Sequence, residues 1–233
     1  MNTTVQTITP VGLLLAFVPT VIVLAVLYRW ALNAQSALYA MTRMLVQLLL
    51  IGYVLAYIFE TEHAVVVVFV LAVMLGAASW IALRPLKNKP PHLYRNALGA
   101  ILVGGTVPLA LMTQVVLEVD PWFFPRYVVP LAGMIFASAM NTVSLAAERY
   151  EAERERAVSY LEARNAALQA SMIPITNTLF AVGLVALPGM MTGQILSGVS
   201  PLVAAKYQIV IMCMVFGASG MAAALYLVLA KNR

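Results

Sequence analysis

The residue types best suited to chemistry crowd into one apolar stretch. Pro174, Thr176, Asn177, Thr178, Gly183, Pro188, Gly189, Thr192, Gly193 and Gln194 put helix breakers and polar side chains between positions 173 and 196. In lipid, a mid-helix proline frees backbone groups that only another helix or a cavity can satisfy. Gly189 and Gly193 have GxxxG spacing, which admits a second helix at close range. Two readings follow for Asn177 and for the run Pro188, Gly189, Met190, Met191, Thr192, Gly193, Gln194: a transport pathway or gate, or a packing kink. Sulfur is also plentiful, with 13 Met and one Cys. Met134 and Met140, Met190 and Met191, and Met212 and Met214 fall in pairs, the last flanking Cys213. Thioether and thiolate suit soft metals, although core filling is the commoner use of Met. Glu60, Glu62 and His63 form a compact set that would hold a cation or make up an ordinary interfacial loop.

Catalytic constellations fail on inspection. Gly217-Ala-Ser-Gly220 matches the pattern of an intramembrane serine protease, yet Ser219 would need a histidine base beside it. His63 and His92 lie in opposite loops, so small-residue packing explains the motif better. Lys206 sits at the start of the last span, not at its middle where a retinal-type lysine belongs. No GxxxxGK[ST] occurs, so the chain has no P-loop. Catalysis is not expected.

The elements that must position these residues are membrane helices. Of 233 residues 63% are hydrophobic and 10% charged, and mean hydropathy is +0.92. That balance excludes a soluble domain and leaves apolar surface for lipid. The net charge of +5 matters by its distribution and does not indicate nucleic acid. About 20 apolar residues span a bilayer. Seven stretches fit, near 11–28, 40–59, 64–83, 97–117, 128–147, 173–196 and 204–230. No Lys or Arg precedes the first, so it is expected to be retained and not cleaved as a signal peptide.

Seven spans put the termini on opposite sides. With the N-terminus outside, Arg29, Arg43, Arg84, Lys87, Lys89, Arg95, Arg149, Arg154, Arg156, Arg164, Lys231 and Arg233 face the cytoplasm, against Arg126 and Lys206 outside. The positive-inside rule selects that orientation. Trp122, Phe123, Phe124 and Tyr127 suit an interfacial aromatic belt. Arg43 and Gln47 lie one turn apart; Arg43 would snorkel, while Gln47 needs an internal partner. Asn141 and Ser144 read as interhelical glue.

One hydrophilic segment remains, at about 148–168, free of Pro and Gly and read as a cytoplasmic extension of the fifth span. Glu151 with Arg154 and Glu153 with Arg156 are opposite charges at i,i+3. Tyr150, Ala157, Leu161 and Leu168 recur near helical period as one apolar stripe. The segment is a solvated connector or a docking surface, with Tyr150, Arg154, Leu161 and Arg164 as its candidate contacts.

The run Gly183-Leu-Val-Ala-Leu-Pro-Gly-Met-Met-Thr-Gly-Gln-Ile-Leu-Ser-Gly-Val-Ser-Pro201, followed by Lys206-Tyr207-Gln208-Ile209, closely resembles the signature of the FetB-like family of ABC permeases. Arg43-Met-Leu-Val-Gln47-Leu, Gly52, Tyr57, Phe59, Val129-Pro130-Leu-Ala-Gly133-Met134, Ile173-Pro174 and Asn177 match in the same order. The resemblance implies an all-α permease domain over residues 1–233, placed in the plasma (inner) membrane as a homodimer. It also implies a separate cytosolic ABC ATPase that binds ATP and Mg, this chain holding no cofactor. Bacterial members are linked to iron export, plant relatives to aluminium tolerance with a nucleotide sugar proposed as substrate. Two departures stand out. A Leu-Gly-Ala-Thr-Pro-like element expected before the sixth span, in the region where ABC permeases touch the ATPase, is missing. Ser138 stands where Asn is common. Export of a metal ion or metal-linked solute is therefore expected, with a scaffold or sensor that has lost coupling as the alternative.

Overall fold

The computed structural model describes residues 8–88 and 90–232, so the expected cytoplasmic charges Lys89 and Arg233 lie outside the described residues. Helices account for the fold: α1 (Pro10–Leu15), α2 (Val18–Arg29), α3 (Ala34–Phe59), α4 (Ala64–Ala82), α5 (Pro91–Ala110) continued by a π-helical turn (Leu111–Val116), α6 (Pro125–Glu155), α7 (Tyr160–Ala181), α8 (Gly189–Leu196) and α9 (Pro201–Leu229). Six helical stretches among the described residues are long and apolar enough to cross a membrane: α1 with α2, α3, α4, α5 with its π turn, α6, and α9. The protein is a polytopic all-helical membrane protein.

Where the sequence reads as one domain, the chain divides into two compact units, Met1–Thr61 and Glu62–Arg233. In the first, α2 packs on α3 and Ile58 is the buried residue of α3. Arg43 is half-buried there, but Gln47 is exposed and Gly52 faces open space, so the internal partner expected for Gln47 is not found within its unit.

The second unit is a bundle centred on α9. Asn96 at the start of α5 donates to the carbonyl of Leu229 (3.1 Å), and the Tyr160 hydroxyl at the start of α7 donates to that of Leu227 (3.2 Å). Both helices thus run antiparallel to α9. The Tyr150 hydroxyl near the end of α6 reaches the carbonyl of Ala230 (3.4 Å), so α6 runs parallel to it. Halfway along, the Ser138 and Ser219 hydroxyls meet at 2.7 Å. Small residues let these helices close. A Cβ on Gly104 would lie 2.6 Å from the backbone nitrogen of Ala222, and one on Gly105 would lie 2.9 Å from the Phe136 ring. Ala97, Ala100, Ala139, Ala218, Ala222 and Ala223 complete the seam, all fully buried.

Two expected elements are redrawn. The predicted helix over 148–168 is not one extension of the fifth span. α6 ends at Glu155, the chain turns through Ala157 in the left-handed region (φ 59°), and Ser159 starts α7 with a reciprocal capping box to Glu162. This cap satisfies two amides that the turn would otherwise orphan. Tyr160 lies level with the end of α9, so residues 160–168 belong to the bundle, where Ala163 and Ala167 are fully buried. The predicted apolar stripe breaks at the same turn: Tyr150 is buried, while Ala157 and Leu161 are exposed. The second element, the span predicted over 173–196, is not one helix but α7 and α8 separated by residues 182–188.

Candidate functional site

The break is built from the residues that the sequence marks as breakers. α7 ends in extended backbone at Val182 (ψ 129°), and Gly183 takes φ +83°, a conformation open to glycine. The carbonyl of Ala181 accepts amides from Leu184, Val185 and Ala186, while the Gly183 amide donates to Ala186 (3.0 Å). The loop therefore satisfies four of its own amides, those of Gly183, Leu184, Val185 and Ala186. Pro188 occupies the N-cap position of α8, and its carbonyl accepts from the Thr192 hydroxyl (3.2 Å). Leu184 is 90% exposed and Val185 84%. In α7, Pro174 has no amide to donate, and its carbonyl accepts from the Thr178 hydroxyl (2.9 Å).

α8 lies against α9, and the pair contributes to two cavities. The first, about 370 Å³, is closed by Met190 and Gln194 of α8, Tyr207 of α9, Arg126, Tyr127 and Pro130 from the start of α6, and Met112 of the π turn. The π turn shapes this wall by its wider bonding, the Leu117 amide donating to the carbonyl of Met112 (2.9 Å). The lining holds one guanidinium, two phenols and one amide, with no carboxylate. The Gln194 Oε1 is buried without a partner. Such a lining can take a polar or anionic group, and it lacks the oxygen anions a hard cation prefers.

The second cavity, about 390 Å³, lies where α7 breaks. Leu179, Val182 and Gly183 meet Met191 of α8 and Gln208, Met212, Cys213 and Phe216 of α9. Gln208 is 6% exposed, and its Oε1 also has no partner. Neighbouring residues thus serve different cavities: Met190 the first and Met191 the second, Tyr207 the first and Gln208 the second.

Of the expected pathway residues, Met190, Met191 and Gln194 reach these cavities. Pro188 and Thr192 stabilise the start of α8, and Asn177 is exposed on α7. Gly189 and Gly193 meet nothing within 4 Å, so the close helix approach expected of their spacing does not occur among the described residues of the second unit. The family-motif residues divide similarly. Pro130, Tyr207 and Gln208 line cavities, Met134 packs on the core, and Gly133 faces the Met74 methyl at 3.4 Å. Sequence reasoning missed Arg126, Met112 and the Gly104–Gly105 pair. Arg126 was legible only as a lone external charge, and no sequence signal marks the π turn.

The docking candidates need correction. Tyr150 is 2% exposed, its hydroxyl on Ala230 and its ring edge-on to Tyr160, so it is a core residue. Arg154, donating to the Val158 carbonyl, and Leu161 are exposed; Arg164 stacks over the Tyr160 ring at 5.8 Å. Glu153 is buried, ion-paired with Arg149 and 3.9 Å from Arg156. Beside them a shallow pocket of about 130 Å³ brings Pro85, Leu86 and Lys87 against Glu148, Glu151 and Glu155. Among the described residues no three His, Cys, Asp or Glu side chains converge as a metal would require, so Glu60, Glu62 and His63 are not brought to one point. They occupy the short connection between α3 and α4. Met134, Met140 and Met214 are core-filling.

Known proteins place the chain. The model of the uncharacterised protein family UPF0014 matches residues 9–233. The UPF0014 membrane protein slr1647 of Synechocystis is 34% identical over 76% of this chain and 74% of its own length. Protein ALUMINUM SENSITIVE 3 of Arabidopsis thaliana is 32% identical over 85% and 78%, and the probable iron export permease protein FetB of Escherichia coli K12 is 30% identical over 92% and 87%. No solved structure matches the chain. A match over nearly the whole chain means that the protein belongs to the UPF0014 family, and its relatives include the FetB permease.

Proposed function

We propose that this chain is the permease subunit of an ABC transporter, exporting iron or another metal-linked small solute and energised by a separate cytosolic ATPase. The observation that carries this reading is the broken helix pair α7–α8, flanked by two cavities, with the Gln194 amide oxygen buried and without a partner among the described residues. Leaving such a group unsatisfied costs about 1–3 kcal/mol, a cost that a solute or water entering the cavity would relieve. Taken together, α7 and α8 supply the seventh crossing.

Charge supports the N-outside orientation. The end of the bundle where α4, α6 and α9 finish and α5 and α7 begin carries Arg84, Lys87, Arg95, Arg149, Arg154, Arg156, Arg164 and Lys231, whereas Arg126 and Lys206 lie at the other. The basic end is the cytoplasmic one, and the membrane is the plasma (inner) membrane. The ATPase, carrying ATP and Mg, docks there on the α6–α7 turn with Arg154, Leu161 and Arg164 and on the groove between Lys87 and Glu151. Two permeases pair with two ATPases. The lack of carboxylates around the first cavity favours a metal-linked solute over a bare hard ion.

The test is flux into inside-out vesicles holding this chain and its ATPase. ATP-dependent uptake is expected, and Gln194→Leu should lower it at least about tenfold while the protein stays as stable as the parent or gains about 1 kcal/mol. Unchanged flux in that variant would remove the first cavity from the pathway. The lack of the Leu-Gly-Ala-Thr-Pro-like element that the resemblance leads one to expect before the sixth span favours a second reading as a scaffold or sensor. Solute binding without ATP-driven flux would select it.

A further inference from the structure

The second cavity gathers sulfur in a way the transport reading does not use. Met191 comes from α8, and Met212 and the chain's single cysteine, Cys213, come from α9. Gln208 stands one helical turn before Met212, on the same face. Its side chain lines this cavity, is 94% buried, and keeps an amide oxygen to which nothing among the described residues donates. Two thioethers and one thiol, that of the exposed Cys213, therefore line one half-open space, with the unsatisfied Gln208 oxygen buried in its wall. The remaining wall is aliphatic or aromatic, including Leu179, Val182, Ile209 and Phe216.

We propose that this cavity binds a soft monovalent metal ion of the Cu(I) class. Thioether and thiolate sulfur select such ions over hard cations. The rest of the wall is apolar and offers no hard-donor side chain, and a monovalent ion on one thiolate leaves the site neutral. Binding releases the Cys213 proton to water, as metal ligation by a thiol requires. Met191, Met212 and Cys213 are the ligands, and the Gln208 oxygen is the fourth, weaker donor. Met suits the task because its three rotatable bonds let sulfurs from two helices converge. The site also ties α8 to α9 across the break, so occupancy would hold the two together. The proposal deepens the permease reading, and it rests on that reading only in placing the cavity on the route.

The test uses the purified full chain in detergent, without ATPase or ATP, titrated with Cu(I) against a chromogenic Cu(I) chelator. One ion per chain is expected. Replacing Met191 and Met212 together by Leu, a swap that conserves volume, should weaken binding by about tenfold or more, and Cys213→Ser by at least as much. Gln208→Leu should weaken it by a few-fold at most. Met134→Leu with Met140→Leu, on the core away from the cavity, should leave it unchanged. The proposal is overturned if the parent holds no ion against the chelator, if the Met191/Met212 variant binds as tightly as the parent, or if the Met134/Met140 variant is the one that loses the ion. Because flux is measured separately, lost Cu(I) binding would leave the transport reading standing, and failed flux would leave this site standing.

Discussion

Two glycine pairs in this protein have opposite fates. Gly104 and Gly105 of α5 are pressed against Ala222 of α9 and Phe136 of α6, with no room for a methyl group. Gly189 and Gly193 of α8, which carry the better-known spacing, have nothing within 4 Å. The first pair lies in a seam of alanines between long helices, where closeness gains dispersion contacts along many residues. The second lies on a helix of 8 residues after a loop, and no helix of its own unit comes close to its glycines among the described residues. Spacing permits an approach; the neighbour decides whether one happens. The seam is closed by backbone contact, whereas the glycines of the short helix face open space.

The sharpest way to break this contrast is Gly104→Ala. Its new methyl would meet backbone that cannot swing aside, and overpacking of that kind costs about 1–3 kcal/mol. A clear fall in the midpoint of thermal unfolding in detergent is expected; an unchanged midpoint would show that the seam yields. Next comes the hydroxyl pair at the centre of the same frame. Ser219→Ala should cost about 1 kcal/mol by removing the 2.7 Å contact with Ser138. Adding Ser138→Ala should then cost little more, because a double-mutant cycle counts a shared contact once. Fully additive losses would mean the two hydroxyls have other partners. The smallest effect has the opposite sign. Gly193→Ala should stabilise by about 0.5–1 kcal/mol, since the position is helical and open. A loss of stability at Gly193 comparable to that at Gly104 would reveal a partner on α8, and a second copy of the chain would be the first to examine.

Much of the frame was legible from residues alone. α4 and α9 are long uninterrupted apolar runs, and their edges fall within a few residues of the predicted spans. The broken sixth span was legible as a density of Pro and Gly, though its form was not: whether Gly183 and Pro188 kink a helix or split it depends on the loop closing around the Ala181 carbonyl. The start of α7 was hidden because Glu162 and Arg164 make its first turns look like solvated connector, while Ala163 and Ala167 on the other face bury against the bundle. Tyr150 was misjudged for the same reason. An aromatic ring in a charged helix is ambiguous until a neighbour such as Ala230 is placed beside it.

Composition by itself determined that this chain belongs in a bilayer, because 63% hydrophobic residues cannot be hidden from water in a chain of 233. It also determined which end of the bundle is basic and which residues would interrupt a helix. Only the tertiary structure decided which side chains share a cavity. Met190 and Met191 are neighbours in the chain yet line different spaces, and so do Tyr207 and Gln208. A helix turns by roughly 100° per residue, so adjacency in sequence separates side chains in space, and only the packing of other helices decides what each one meets.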